Sequence, residues 1–197
     1  IMSSVKIKII IGSTRQNRFS EHPARWINEE AKKVAGAEVE LLDLRDYPLP
    51  FFNEPVSPAM VKGDYSNEIV RKWARKIAEA DAYIIATPEY NHGCPAVLKN
   101  ALDSIYQEWN NKPVGFVSWG GAAGVRSVEQ LRQVAIELQM APIRNAVHIS
   151  SFWTLLDESG QLKPGAFDSL KGSAEIFFNQ LMWWAEALKK ARENKQL

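Results

Sequence analysis

The hydrophobic pattern of this chain changes period repeatedly, and each change marks an element. Val5-Lys6-Ile7-Lys8-Ile9-Ile10-Ile11 opens in alternation and closes as a continuous β-branched run, the pattern of a strand buried on both faces of a parallel sheet. It predicts a central first strand. A polar stretch, residues 12–20, follows, after which Ala24, Ile27, Ala31 and Val34 recur at helical spacing. Ser20 is placed to cap that helix, and Glu21 lies in its first turn, where a carboxylate meets the positive end of the helix dipole. Val39-Glu40-Leu41-Leu42-Asp43-Leu44 reads as a shorter second strand. Residues 45–64, with Pro48, Pro50, Pro55 and Pro58, form a long connection, either a lid or a surface crossing.

Ser66 is placed to cap a helix whose Ile69, Trp73 and Ile77 form one stripe. An apolar run at 82–86 predicts the third strand, interrupted by the irregular stretch 87–95. Pro95 suits the first turn of a helix carrying Leu98, Leu102 and Ile105 inward. Residues 114–118 predict a fourth strand, ending in Trp119-Gly120-Gly121-Ala122-Ala123-Gly124. Val128, Leu131, Ala135 and Leu138 then give a helix, residues 143–149 a fifth strand, and Phe167, Leu170, Ala174, Phe177, Leu181 and Leu188 a long final helix. Strand and helix alternate throughout, which implies right-handed crossovers and a three-layer α/β domain around a parallel sheet. A single domain over 1–197, ending in an extended helix, is expected.

Composition narrows the partners. With 24 Lys+Arg against 23 Asp+Glu, the net charge of +1 offers no field for nucleic acid or an anionic membrane. Cys94 is the single cysteine, which excludes an internal disulfide framework and a cysteine-based zinc site and favours a reducing, cytoplasmic setting. His22, His92 and His148 share no metal-ligand spacing. Residues 1–8 contain no long apolar segment, so neither a signal peptide nor a membrane span is expected.

The loops after strands one, three and four share one edge of the sheet, where parallel α/β proteins bind ligands. The first gathers Ser13, Thr14, Arg15, Asn17, Arg18, Phe19 and Ser20 before a helix amino terminus, a set of hydroxyls, amides and guanidiniums suited to a phosphate monoester. The alternative, which the loop chemistry favours less, is a hydrophilic turn with a capped helix. Its spacing is neither Gly-x-Gly-x-x-Gly nor Gly-Lys-Ser/Thr, so a dinucleotide fingerprint and a P-loop are unsupported. The other two loops bring proline-stiffened and glycine-rich backbone toward a planar ring, with Tyr90 and Trp119 as aromatic surface. FMN suits all three loops, with amides near Glu89, Asn91 and His92 facing the polar edge of its ring. Cys94 lies where a helix would stabilise a thiolate, but a phosphatase-like Cys-x5-Arg would need arginine where Asn100 stands.

Gly12-Ser13-x-Arg15, Pro88-Glu89-Tyr90-Asn91-His92-x-x-Pro95-x-x-Leu98-Lys99-Asn100-Ala101-Leu102-Asp103 and Ser118-x-Gly120-Gly121 resemble the NAD(P)H-dependent FMN reductase family of flavodoxin-like proteins. The resemblance spans residues 5–149. It implies a five-stranded parallel sheet in order 2-1-3-4-5, bound FMN, hydride transfer from NADPH or NADH, and a homodimer or homotetramer with flavin near the subunit interface. It also implies phosphate contacts at Ser13, Arg15 and residues 17–20, ring contacts at Pro88, Glu89, Tyr90 and Asn91, and a neighbouring turn at Trp119, Gly120 and Gly121, opened by Ser118. Gly93 and Cys94 depart from the pattern, which commonly has Ser and an aliphatic residue there. The aromatic tail with Trp153, Trp183 and Trp184 also departs, and part of it is expected to be buried in an oligomer.

The function expected is an FMN-dependent oxidoreductase passing hydride through flavin N5 to a quinone, free flavin, azo compound or metal oxyanion. No catalytic side chain is required, because the cofactor carries the chemistry. A flavodoxin-like electron carrier and a non-catalytic FMN-binding module are the alternatives.

Overall fold

The computed structural model describes residues 4–194. The single-domain expectation also covers 1–3 and 195–197, which lie outside the described residues. Five strands, β1 (Val5–Ile11), β2 (Ala37–Asp43), β3 (Ala82–Pro88), β4 (Pro113–Trp119) and β5 (Ala141–Ile149), form one parallel sheet in the order β2-β1-β3-β4-β5. Every residue of β3 and β4 is buried, as both-face coverage requires, whereas the edge strands β2 and β5 are only partly buried. The sheet order implied by the resemblance is the one observed.

Alternation along the strands divides the core in two. Ile10, Tyr83, Ile85 and Phe116 face one side, packed against α3 (Glu68–Ala78), α4 (Ala96–Asp103) and α5 (Val125–Glu137). Ile9, Ile11, Ile84 and Val117 face the other, covered by α1 (Glu21–Ala31) and α6 (Lys171–Asn194). Two cores on opposite faces make the sheet the rigid member of the fold. Loops on its carboxyl edge therefore sit on a fixed base.

Local chemistry corrects several boundaries. Asn67, not Ser66, caps α3: its side-chain oxygen accepts from Ile69 N at 2.8 Å, while Ser66 Oγ bonds Glu54 at 2.7 Å. Ser20 stands at the start of α1 but makes no capping bond, being already helical in backbone. The final helix begins at Lys171, after a short 3-10 turn at Asp168–Leu170, so Phe167 lies ahead of it. The connection 45–64 contains a one-turn helix, α2 (Pro58–Val61), and is pinned to α4 by Asn100, which donates to Pro50 O and accepts from Phe52 N, both at 2.9 Å.

Among the described residues no helix is long and apolar enough to cross a membrane. The inner face of α6 buries Phe177, Phe178 and Leu181, whereas Ile176 and Trp183 remain more than half exposed.

Candidate functional site

The first loop is built by ion pairs. Arg18 is buried and its guanidinium returns to Ser13 O, to Asp43 at the end of β2 and to Glu21 at the head of α1. Burial opposes its charge, but Asp43 and Glu21 outweigh that and hold the guanidinium protonated; burial likewise pushes the Asp43 carboxyl up, and Arg18 with the Arg45 amide reverses the shift downward. Arg45 adds a second tie, donating to Arg15 O at 2.7 Å and to Glu21 at 3.0 Å. Arg18 was read as a phosphate ligand; its NH groups are instead committed to shaping the loop. Its Nε is buried with no partner among the described residues, which calls for an acceptor at that wall. Arg15 and Asn17 are exposed.

Ser13, fully buried, joins this loop to the next: its hydroxyl lies 2.7 Å from that of Tyr90. Arg15 sits over the Tyr90 ring, 6.0 Å from its centroid. Residues 90–93 form a tight turn closed by Tyr90 N to Gly93 O at 2.9 Å and Gly93 N to Tyr90 O at 3.0 Å. Its central residues, Asn91 (φ 48°) and His92 (φ 73°), are both left-handed, as in hairpin turns whose amides point outward. Neither central amide has a backbone partner among the described residues. Glu89 N, by contrast, donates to Trp119 O at 2.9 Å. The expectation that the Glu89 amide faces a ring is therefore corrected: only Asn91 and His92 keep theirs available.

Ser118 and Trp119 are also corrected. Ser118 is fully buried and its Oγ donates to Ala123 O at 2.8 Å, so it accepts from His148 Nδ1, also at 2.8 Å. Burial, followed by the charge of Arg132, pushes the His148 pKa down and keeps that imidazole neutral. The pair staples the glycine loop to β5. Gly124 needs to be glycine, since at φ 75° a Cβ would stand 2.7 Å from Trp119 N. Trp119 is buried edge-on against Phe19, 6.0 Å between centroids, and offers backbone rather than open aromatic surface.

The three loops enclose a cavity of about 180 Å³ lined by Arg15, Arg18, Phe19, Ser20, Pro88, Glu89, Tyr90, Trp119, Gly120, Gly121 and Phe152. Ten of these stood in the predicted set; Phe152, tilted against Phe19 with 4.9 Å between ring centroids, was missed because it follows β5 outside every motif. Ser13 contributes through Tyr90, Asn17 lies in the neighbouring groove, and Asn91, His92 and Ser118 stand behind or beside the lining. A larger recess of about 270 Å³ is lined by Phe51, Phe52 and Val70 together with Glu54, Asp64 and Asn67. It lies along the 45–64 connection and shares no residue with the loop-edge cavity. Because the loops after β1, β3 and β4 meet at the smaller cavity, on the carboxyl edge where parallel sheets bind ligands, it is the candidate site.

Residues 5–154 match the family of NADPH-dependent FMN reductases. The chain belongs to that family. Over 144 residues it is 42% identical to an NAD(P)H-dependent FMN reductase of Schizosaccharomyces pombe, covering 72% of each chain. It is 34% identical over 141 residues to an NADPH:quinone oxidoreductase of Arabidopsis thaliana, covering 69% of each. Its fold is shared with FerB, a flavoenzyme NAD(P)H:(acceptor) oxidoreductase of Paracoccus denitrificans, with a TM-score of 0.68 at 19% identity over 90% of this chain and 97% of that one.

An FMN-dependent oxidoreductase of this family has to hold a phosphate and a flat ring, and the groups around the cavity suit both in chemistry. Backbone at Gly120 and Gly121 walls one side, with nothing within 4 Å of where a Gly121 side chain would start. The orphaned Arg18 Nε and exposed Arg15 supply positive groups at another, and the free amides of 91 and 92 stand beside the lining as further donors. No cysteine is among the lining residues. Cys94 is half-buried, and burial pushes its thiol up, which works against a thiolate role.

Proposed function

We propose that this chain carries electrons from NADPH or NADH to a small-molecule acceptor through FMN seated between residues 13–20, 88–93 and 119–121. The observation that carries the reading is the convergence of three loops on one cavity, beside which the Asn91 and His92 amides have no partner among the described residues. Bound FMN supplies hydride acceptance and release; the chain binds, orients and shields. Arg15 and Ser20 hold the phosphate, with Asn17 at the rim. Asn91 and His92 amides donate to the polar ring edge, stabilising negative charge on a reduced ring. Ser13 acts through the Tyr90 hydroxyl, and Gly120 and Gly121 bring backbone close to the ring.

The relatives named quinone oxidoreductases support a quinone as the acceptor, with free flavin, azo compounds and metal oxyanions as further candidates. Exposed Phe51, Met60, Ile176 and Trp183 support assembly as a homodimer or homotetramer. The single cysteine supports a reducing, cytoplasmic setting, and one domain spans the chain.

Anaerobic titration tests this directly. The protein takes up FMN, bleaches within seconds of NADPH or NADH addition, and recovers its colour when a benzoquinone is added. A protein that gains no flavin absorbance with FMN refutes the site. One that binds FMN but bleaches only with a partner reductase is a flavodoxin-like carrier, and one that binds FMN and never bleaches is a binding module.

A further inference from the structure

The Asn91 and His92 amides owe their orientation to a different element, the first two turns of α5. The Glu89 side chain is only 4% exposed; it ion-pairs with the Arg126 guanidinium and accepts from Arg126 N at 3.2 Å. The same guanidinium donates to His92 Nδ1 at 3.1 Å. Arginine has no acceptor, so Nδ1 carries the lone pair and the neutral ring holds its proton on Nε2. One helical turn on, Gln130 Nε2 donates to His92 O at 3.0 Å. Positions 126 and 130 share a helix face, and neither residue lines the cavity.

Gly93 completes the arrangement. A Cβ at this position would stand 2.7 Å from Gln130 Oε1, with the rest of the amide at 3.5 Å, while the backbone itself is not left-handed. An alanine is therefore acceptable to the chain at 93 and unacceptable to Gln130 where it now sits. His92 is held at φ 73°, a conformation that a residue with a side chain keeps only when its surroundings over-determine it.

We propose that Arg126 and Gln130 are positioning residues for the Asn91–His92 amide pair, and that residue 93 is glycine because a side chain there displaces Gln130 from His92 O. This rests on reading that amide pair as the ring contact. Arg126 fixes the turn from its Glu89 side and Gln130 from its His92 side. The departure from the family pattern at Gly93 is thus the space for a clamp supplied by α5.

Gly93→Ala and Gln130→Ala act on the same bond, so their effects do not add. Each raises the Kd for FMN, read by fluorescence quenching, about fivefold, the loss of one hydrogen bond. The double variant is no weaker than the poorer single variant. Arg126→Ala weakens FMN binding further and shifts the flavin midpoint potential, and Arg126→Lys recovers part of both by keeping a charge beside Glu89. In the FMN-free protein, NMR relaxation shows lower backbone order at 91 and 92 in each alanine variant. Wild-type Kd and wild-type backbone order in Gln130→Ala overturn the proposal, as does a double variant in which the two losses multiply. Should Arg126→Ala not fold, the Gln130 and Gly93 variants decide, since the Gln130 side chain is exposed. A wild-type protein that binds no FMN removes the functional reading alone, because backbone order in the FMN-free chain still decides the positioning.

Discussion

The two edges of the sheet handle polar groups in opposite ways. At the amino edge, Asp81 accepts from Lys6 N at 3.0 Å, from Lys189 at 2.9 Å and from Arg192 at 2.8 Å. Lys112, buried nearby, donates to Ile77 O, Ala78 O and Tyr83 Oη, each at 3.1 Å. At the fourth position of β1, Lys8 is buried between Glu40 and Glu79. At the carboxyl edge, the amides of 91 and 92 lack backbone partners among the described residues, Arg15 is exposed, and one nitrogen of Arg18 is orphaned. The same parallel topology underlies both. Closing every polar group adds stability, whereas leaving donors open at a rigid edge makes a site, at some cost in stability. Stability and affinity should therefore separate by edge.

The largest separation comes from Asp81→Ala. Burial pushes the Asp81 carboxyl up, but the Lys6 amide, Lys189 and Arg192 more than reverse this. Removing it leaves two cations facing each other without a counter-charge, a loss of about 2–3 kcal/mol for a partly shielded cluster. Urea unfolding reads that loss, while the FMN Kd stays at the wild-type value. An Asp81 variant of unchanged midpoint would show the amino edge to be ornamental.

Arg15→Ala is the mirror image. The side chain is exposed, so unfolding should move by less than about 0.5 kcal/mol. Losing a charged hydrogen bond to the phosphate is worth about 1.5–3 kcal/mol, or roughly 10- to 100-fold in FMN Kd. Riboflavin, which lacks the phosphate, should bind both proteins alike. A parallel loss of riboflavin affinity would move Arg15 from the phosphate to the ring.

The same contrast decides what was legible in the sequence. Continuous apolar strands such as 82–86 declare themselves, because burial on both faces leaves one compositional signature. The loops after β1, β3 and β4 were found through their residue types, which report backbone freedom and donors. What composition does not encode is which donor is already taken. Arg18 and Arg15 look alike in sequence, yet Asp43, twenty-five positions on, claims one and not the other. Ser118 and Trp119 look available until His148 and Phe19 arrive from other elements. Asn67 caps α3 because it stands directly before the first helical residue with an extended backbone, so its side chain meets two amides, while Ser66, one position further out, bonds Glu54. Phe152, Arg126 and Gln130 carry no motif, and only the fold brings them to the site.

Lys112 allows the amino edge to be read by pH. Burial, then the charge of Arg192, lowers its pKa to about 7 from the ordinary 10.5. Above about 7 the folded protein sheds a proton that the unfolded chain keeps until about 10.5, so the unfolded state binds more protons. Stability contributed by this group therefore rises with pH across that window, by about 1.4 kcal/mol per unit at most. Lys112→Met should flatten the curve of unfolding free energy between pH 7 and 9. Parallel curves for the two proteins would mean that Lys112 keeps its charge when buried.

The smallest effect belongs to a contact that is closed on the open edge. Ser13 and Tyr90 share a 2.7 Å hydroxyl pair that links the phosphate loop to the ring loop. Ser13→Ala removes the Tyr90 partner without touching a cofactor-facing group, and a neutral hydrogen bond of about 1 kcal/mol predicts a fivefold weaker FMN affinity. Tyr90→Phe removes the same bond from the other side. If the pair serves to fix the ring loop, each variant shifts the flavin absorption maximum in the same direction and the double variant matches the singles. If instead Ser13 meets the phosphate itself, Ser13→Ala weakens FMN and spares riboflavin, while Tyr90→Phe weakens both. The hydroxyl would then belong with Arg15 among the open donors, and the contrast between the edges would be complete.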